Sequence, residues 1–229
     1  GHALYEQGLP KDWRSQPVGQ ARGMALHESQ SLLIEMQLSR SADFMIYALP
    51  RIRAAFNGSG PAWEMDNILR LYQQVVPGFI RVDADEVTYP LHVILRYQLE
   101  TALLSGDLPV ADLPAAWNCG MRNALGITPP NDRLGCLQDI HWPGGAIGYF
   151  PTYTLGAMAA AQIFQAAKEN IPALKAQVQG GDFAPLLQWL RDNVHALGSS
   201  RSTDDILKSA TGAPLTAAAF KAHLQERYL

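Results

Sequence analysis

Apolar residues recur at helical spacing along most of the chain. Over residues 25–38 they fall at Leu26, Leu33, Ile34 and Met36, a stripe suited to burial on one helix face. Ser41 stands as an N-cap before the next such segment, and the turn Asn57-Gly58-Ser59-Gly60 ends it, so a helix is expected over 41–56. Pro61 fits a first helical position and Pro77-Gly78 a stop, predicting a further helix to about Val76. Phe79-Ile80-Arg81-Val82-Asp83 breaks this rhythm. It alternates apolar and polar residues and is the best strand candidate in the chain.

Helical spacing returns from Tyr89 to about Leu104, closed by Ser105-Gly106-Asp107, and again over 110–124 and 131–139, on either side of Thr128-Pro129-Pro130. The stretch His141 to Gly148 holds three glycines and a proline and reads as loop. A helix of small residues follows over about 152–169. Amphipathic helix fills 171–229, interrupted at Gly180-Gly181, Gly198-Ser199-Ser200 and Gly212-Ala213-Pro214. The first eight residues also read as the inside of a helix, with Gly8 as its C-cap. The pattern predicts a mostly α fold, one helical domain over 1–229 with at most a short β-hairpin.

Composition narrows the function classes. The 229 residues are 48% hydrophobic and 17% charged, enough for one sizeable core. A net charge of −3 comes from 18 basic and 21 acidic residues without a basic stripe, which argues against a nucleic-acid partner. No apolar run approaches the roughly 18 residues of a membrane span. Cys119 and Cys136 are too few for a disulfide framework and not spaced as a zinc site, which points to a reducing cytoplasm.

Two clusters of acidic residues and histidines remain. One is His27-Glu28 on an early helix, 25 residues after His2; the other is Gln138-Asp139-Ile140-His141-Trp142 at the mouth of the glycine-rich loop, followed by Tyr149 and Tyr153. A lone histidine on a half-apolar helix is usually structural, and His92, His195 and His223 have no motif around them. In context the two clusters form a pattern. GHALYEQGLP resembles the end of a zincin helix, HExGHALYEQGLP, in which two histidines four apart bind zinc from one helix face and the glutamate between them is the general base. HESQS at 27–31 resembles the element that supplies a third, carboxylate ligand. IRVDAD at 80–85 matches I/V-R-x-x-A-D, GCLQDIHW at 135–142 matches G-x-x-Q-D-x-H-W, and GYFPTYTLG at 148–156 resembles the tyrosine-bearing segment that follows. Together these elements are similar to the C-terminal part of the carboxypeptidase Taq (M32) family of metallocarboxypeptidases. The stretch LLIEMQLSRS departs from an aromatic–Glu–Asn run common in that family.

The resemblance implies a multi-helix, zincin-like (gluzincin) lobe. It also implies a homodimer and release of single residues from peptides with a free C-terminus, using Zn2+ or another divalent ion such as Co2+. His2 and Glu28 are then metal ligands that must face one ion at about 2.0–2.2 Å, with His27 behind them. Arg81 is implied to take the substrate carboxylate in two parallel hydrogen bonds, although Asp83 and Asp85 stand close enough in sequence to pair with it. His141 and Tyr153 are implied over the scissile carbonyl, Tyr149 being the other candidate oxyanion donor, and Asp139 is expected to orient His141. The match also implies that the first zinc histidine and the base precede Gly1, so residues 1–229 alone are expected to be inactive. Two alternatives stay open: an endo-acting oligopeptidase of the helical M3 type, and a helical binding module without a metal.

Overall fold

A computed structural model describes residues 1–229, and it is helical without a strand. The chain forms two compact units, one of residues 1–73 and 155–229 and one of residues 74–154.

In the first unit α1 (His2–Gly8) packs on α2 (Gly23–Leu32). Tyr5 is buried between them and its hydroxyl accepts from the Arg22 N–H at 3.1 Å. The contact is very close, since a Cβ on Gly1 would overlap the backbone of Gln30 and Ser31. The expected helix over 25–38 is present but changes character midway. Leu33–Ser39 is a π-helix, a wider turn that sequence periodicity does not reveal. The Met36 carbonyl in this turn accepts from Arg227 at 2.6 Å.

Ser41 caps α3 (Ala42–Phe56) as expected, accepting from the Phe44 N–H at 3.1 Å. Asn57 ends it in the left-handed region. The Pro61 segment is shorter than expected: one 3-10 turn, Pro61–Trp63, and then α4 (Met65–Tyr72), which buries no side chain. The long α7 (Pro151–Asn170) buries Ala157, Ala159, Ala160 and Ala161. Its small residues allow close approach, and a Cβ on Gly156 would lie 3.0 Å from the Glu28 Cβ. Short helices α8 (Leu174–Gly180), α9 (Ala184–Asn193), α10 (Thr203–Thr211) and α11 (Ala218–Tyr228) complete the unit, with breaks near the three glycine sites expected.

The second unit is built on α5 (Tyr89–Ser105) and α6 (Leu113–Leu125), which bury Leu95, Leu99, Trp117 and Met121 together. Two expectations fail here. Residues 79–83 form no strand, and Arg81–Asp83 is a 3-10 turn. The Gln138 amide takes the place of a neighbouring strand: its Nε2 donates to the Phe79 carbonyl at 2.9 Å and its Oε1 accepts from the Arg81 N–H at 2.9 Å. The alternation also points the opposite way, for Arg81 is 5% exposed and Val82 70%. Residues 131–139 form turns rather than a helix, because Asp132 and Asn131 take local backbone N–H groups and Gln138 and Asp139 are drawn to residues far away in sequence.

Candidate metal centre and a buried arginine–tyrosine cluster

His2 opens α1, and Glu28 lies on α2 directly after His27. The close packing of the two helices brings His2 Nε2 to 3.4 Å from Glu28 Oε2. On the other side of the His2 ring, Nδ1 meets Nδ1 of His27 at 2.7 Å, and His27 Nε2 meets Glu6 Oε1 at 2.9 Å. The two imidazole rings are stacked, with centroids 4.6 Å apart and planes inclined by 25°. Glu6 lies one turn after His2, so one face of α1 presents both residues to His27. Sequence reasoning did not single out Glu6, although its i, i+4 spacing from His2 was the available signal.

The donor set fits a divalent cation. An imidazole nitrogen and a carboxylate oxygen are typical ligands of zinc, and ligand bonds of about 2.1 Å in tetrahedral geometry place two ligand atoms about 3.4 Å apart. That is the observed separation. Glu28 is held in place: its flank lies against Gly156, and its neighbour Ser29 is fully buried, with Oγ donating to the Leu26 carbonyl at 2.6 Å. Residues 1–229 supply two such donors; no group of three or more His, Cys, Asp or Glu side chains could hold an ion.

The second unit holds the other expected residues. Arg81 pairs with neither Asp83 nor Asp85. Its Nε and Nη2 donate to Asp139 Oδ1 at 3.1 and 2.9 Å, while Arg96 Nε donates to Asp139 Oδ2 at 2.6 Å. Arg96 also donates to the His92 carbonyl and to Gln138 Oε1, and its guanidinium lies 4.5 Å over the Trp117 ring. Burial alone would raise the Asp139 carboxyl, but Arg96 and Arg81 hold it below the usual carboxylate range. Burial brings Arg96 down to about 10 in spite of Asp139.

His141 Nε2 lies 2.8 Å from the Tyr153 hydroxyl, and the Arg81 guanidinium sits 4.6 Å from the centre of the Tyr153 ring. Tyr149 is beside both, with ring centroids 5.4 Å from His141 and 5.5 Å from Tyr153. Burial, and then the Arg81 charge, lower the His141 pKa, which keeps the ring neutral at pH 7. Asp139 does not orient it: His141 Nδ1 is 3.8 Å from Asp139 Oδ1, beyond hydrogen-bond range, because that oxygen serves Arg81. The loop is anchored instead by Glu100, which accepts from Trp142 Nε1 at 2.6 Å and from the Gly148 N–H at 2.7 Å. Glu100 and Arg96 sit inside the apolar run of α5, where no motif marks them.

Residues 1–228 match the family model described as carboxypeptidase Taq (M32) metallopeptidase. Thermostable carboxypeptidase 1 of Thermus thermophilus is 42% identical over 228 residues, covering 100% of this chain and 44% of that protein. Carboxypeptidase 1 of Bacillus subtilis is 40% identical, covering 100% of this chain and 46% of the relative. Among solved structures, metallocarboxypeptidase 1 of Trypanosoma cruzi superposes with a TM-score of 0.95 at 43% identity, covering 99% of this chain and 48% of that one. The chain thus spans a little under half the length of these relatives.

Proposed function

The chain belongs to the carboxypeptidase Taq (M32) metallopeptidase family, and from that premise we propose that it is part of a metal-dependent carboxypeptidase releasing single residues from the free C-termini of peptides. The observation that carries this reading is the approach of His2 Nε2 to Glu28 Oε2, in motif register and at a tetrahedral ligand separation. His2 and Glu28 hold the divalent ion, zinc or cobalt. When bound, the ion supplies Lewis-acid activation of water and of the scissile carbonyl.

Arg81 binds the substrate's C-terminal carboxylate. Two guanidinium groups against one carboxylate leave the Arg81–Asp139–Arg96 cluster with one net positive charge, and the bonds to Asp139 fix the Arg81 plane before substrate arrives. Tyr153 donates its hydroxyl hydrogen to the developing oxyanion. Neutral His141 holds that hydroxyl in place through Nε2, and Tyr149 packs against both rings. Residues 1–229 contain two of the metal donors, so the activity is that of the whole protein and these residues alone are inactive. A homodimer and a cytoplasmic location belong to the same proposal; no helix is long and apolar enough to cross a membrane, and Cys119 and Cys136 are both free.

The test compares a peptide with its C-terminal amide in the whole protein carrying these residues. Chelator-sensitive release of the last residue from the free acid is expected, with a large loss in kcat/KM on amidation. Arg81→Ala should abolish most of the difference between the two, since either change removes the same charge-assisted pair. Equal turnover of acid and amide by the unmutated protein would reject the exopeptidase reading in favour of an endo-acting oligopeptidase. Failure to bind a divalent ion would favour a binding module.

A further inference from the structure

We propose that Glu6 is a positioning residue for His2, acting through His27 to fix the tautomer in which His2 Nε2 is free to bind the metal. The inference rests on the metal-ligand reading of His2 and Glu28 and goes one step behind it. The contact between His2 and His27 joins two chemically identical atoms, Nδ1 to Nδ1 at 2.7 Å. By itself it can be satisfied in two ways, with either ring donating. Glu6 removes the degeneracy. A carboxylate only accepts, so the hydrogen in the 2.9 Å contact belongs to His27 Nε2. With a single ring hydrogen on His27, placed at Nε2 by Glu6, its Nδ1 is bare and accepts, and the hydrogen between the rings belongs to His2 Nδ1. His2 Nε2 is left with a lone pair.

That lone pair faces Glu28 Oε2, another acceptor, across 3.4 Å. Two acceptors facing each other with no hydrogen between them form a place for a cation. Without Glu6 the His27 ring is free to donate from Nδ1, which moves the His2 hydrogen to Nε2. His2 then closes on Glu28 as a hydrogen bond, and the metal must displace that arrangement. The relay spans two adjacent helices, with Glu6 and His2 one turn apart on α1 and His27 beside Glu28 on α2. Glu6 is itself more than half exposed, so its replacement disturbs little packing.

The experiment measures Zn2+ affinity by chelator competition in the whole protein, for the unmutated form and for Glu6→Ala, His27→Ala, the double variant and Glu28→Ala. Partners behind a metal ligand are worth about 10–100-fold in affinity, and Glu6→Ala should lose about tenfold, with the apo melting temperature unchanged. Glu6→Ala in the His27→Ala background should cost nothing further, because Glu6 acts only through that ring. Imidazole ¹⁵N shifts in the apo protein should show bare Nε2 for His2 in the unmutated form and an added Nε2–H population in Glu6→Ala, which a merely structural role would not produce. Glu6→Gln, which preserves the fold and an acceptor oxygen but also offers a donor, should fall between the two. Unmutated affinity in Glu6→Ala, or losses that add in the double variant, would overturn the relay. If Glu28→Ala binds Zn2+ as tightly as the unmutated protein, the metal-site reading itself fails, and the two failures are distinguishable.

Discussion

Replacing Asp139 by alanine removes the carboxylate that two buried guanidinium groups share. Its side chain is 10% exposed and accepts three hydrogen bonds, from Arg81 Nε and Nη2 and from Arg96 Nε. Arg96 is completely buried, and without Asp139 it retains only the neutral acceptors His92 O and Gln138 Oε1. Arg81 loses both of its side-chain bonds to Asp139. Stripping the partner from a buried ion pair costs about 3–5 kcal/mol, and because two cations are left the upper part of that range is expected. Urea unfolding monitored through Trp117 and Trp142 fluorescence reads this directly, since both indoles lie in the core of the same unit. Asp139→Asn should be about as damaging, because its Nδ2 would point a donor at a guanidinium. Adding Arg96→Met to Asp139→Ala removes a stranded charge and should return about 1 kcal/mol or more. A loss below about 1 kcal/mol in the single variant, or no recovery in the double, would refute the account. The sign with pH follows: a carboxyl held below its unfolded value stabilises at pH above about 3.9, and this contribution is lost as pH falls through the folded value.

Tyr153→Phe in the whole protein should lower kcat by about 10²–10³ with KM little changed, as for single oxyanion donors; a near-normal kcat would pass the role to Tyr149 or His141. Gly156→Ala places a methyl group 3.0 Å from Glu28 Cβ and 3.1 Å from its Cγ, so Glu28 must shift by a few tenths of an ångström; metal affinity measured by chelator competition should fall about tenfold while the helical signal in circular dichroism is kept. His92 and His195 are held neutral to about pH 4, mainly by burial, with Arg96 adding to it for His92 and Arg191 for His195. Below pH about 6.5 the unfolded chain takes up these protons first, so stability should fall from there to about pH 4 and then level off for these groups, by roughly 3 kcal/mol per histidine at most; a His195→Gln variant should show a shallower loss in urea midpoints between pH 7 and 4.5.

Where local chemistry decided the structure, the sequence was enough to read it. Ser41 caps a helix because its hydroxyl reaches the Phe44 N–H, and Asn57 ends the same helix because its short polar side chain tolerates the left-handed region. The stretch 79–83 misleads because alternation implies a strand only if another strand is there to pair with it. Here the partner is one glutamine side chain from 57 residues away, which turns Arg81 inward and Val82 outward. The widening of α2 into a π-helix leaves no mark on apolar spacing. At the candidate metal centre, the motifs single out His2 and Glu28, which helix packing brings to 3.4 Å; no motif singles out Glu6, whose contact with His27 Nε2 exists only once the two helices pack.

The two units hold their functional groups by different physical means, and this determines which changes each tolerates. In the first, His2 and Glu28 are placed by backbone proximity. Gly1 leaves no space for a side chain against Gln30, Gly156 leaves only a tight fit against Glu28, and the polar contacts around the histidines lie partly in solvent. Added volume is damaging there, whereas an exposed residue such as Glu6 can be changed with little cost to folding. In the second unit, Arg81 is placed by charge: Asp139 and Gln138 each serve both arginines, and Arg96 is packed against Trp117. A change of charge is damaging there even when volume is preserved, as Asp139→Asn would show. Under the proposed role of Arg81 in binding a carboxylate, a second cation is needed to keep the cluster positive while Asp139 stays in place, and Arg96 supplies it from inside the core.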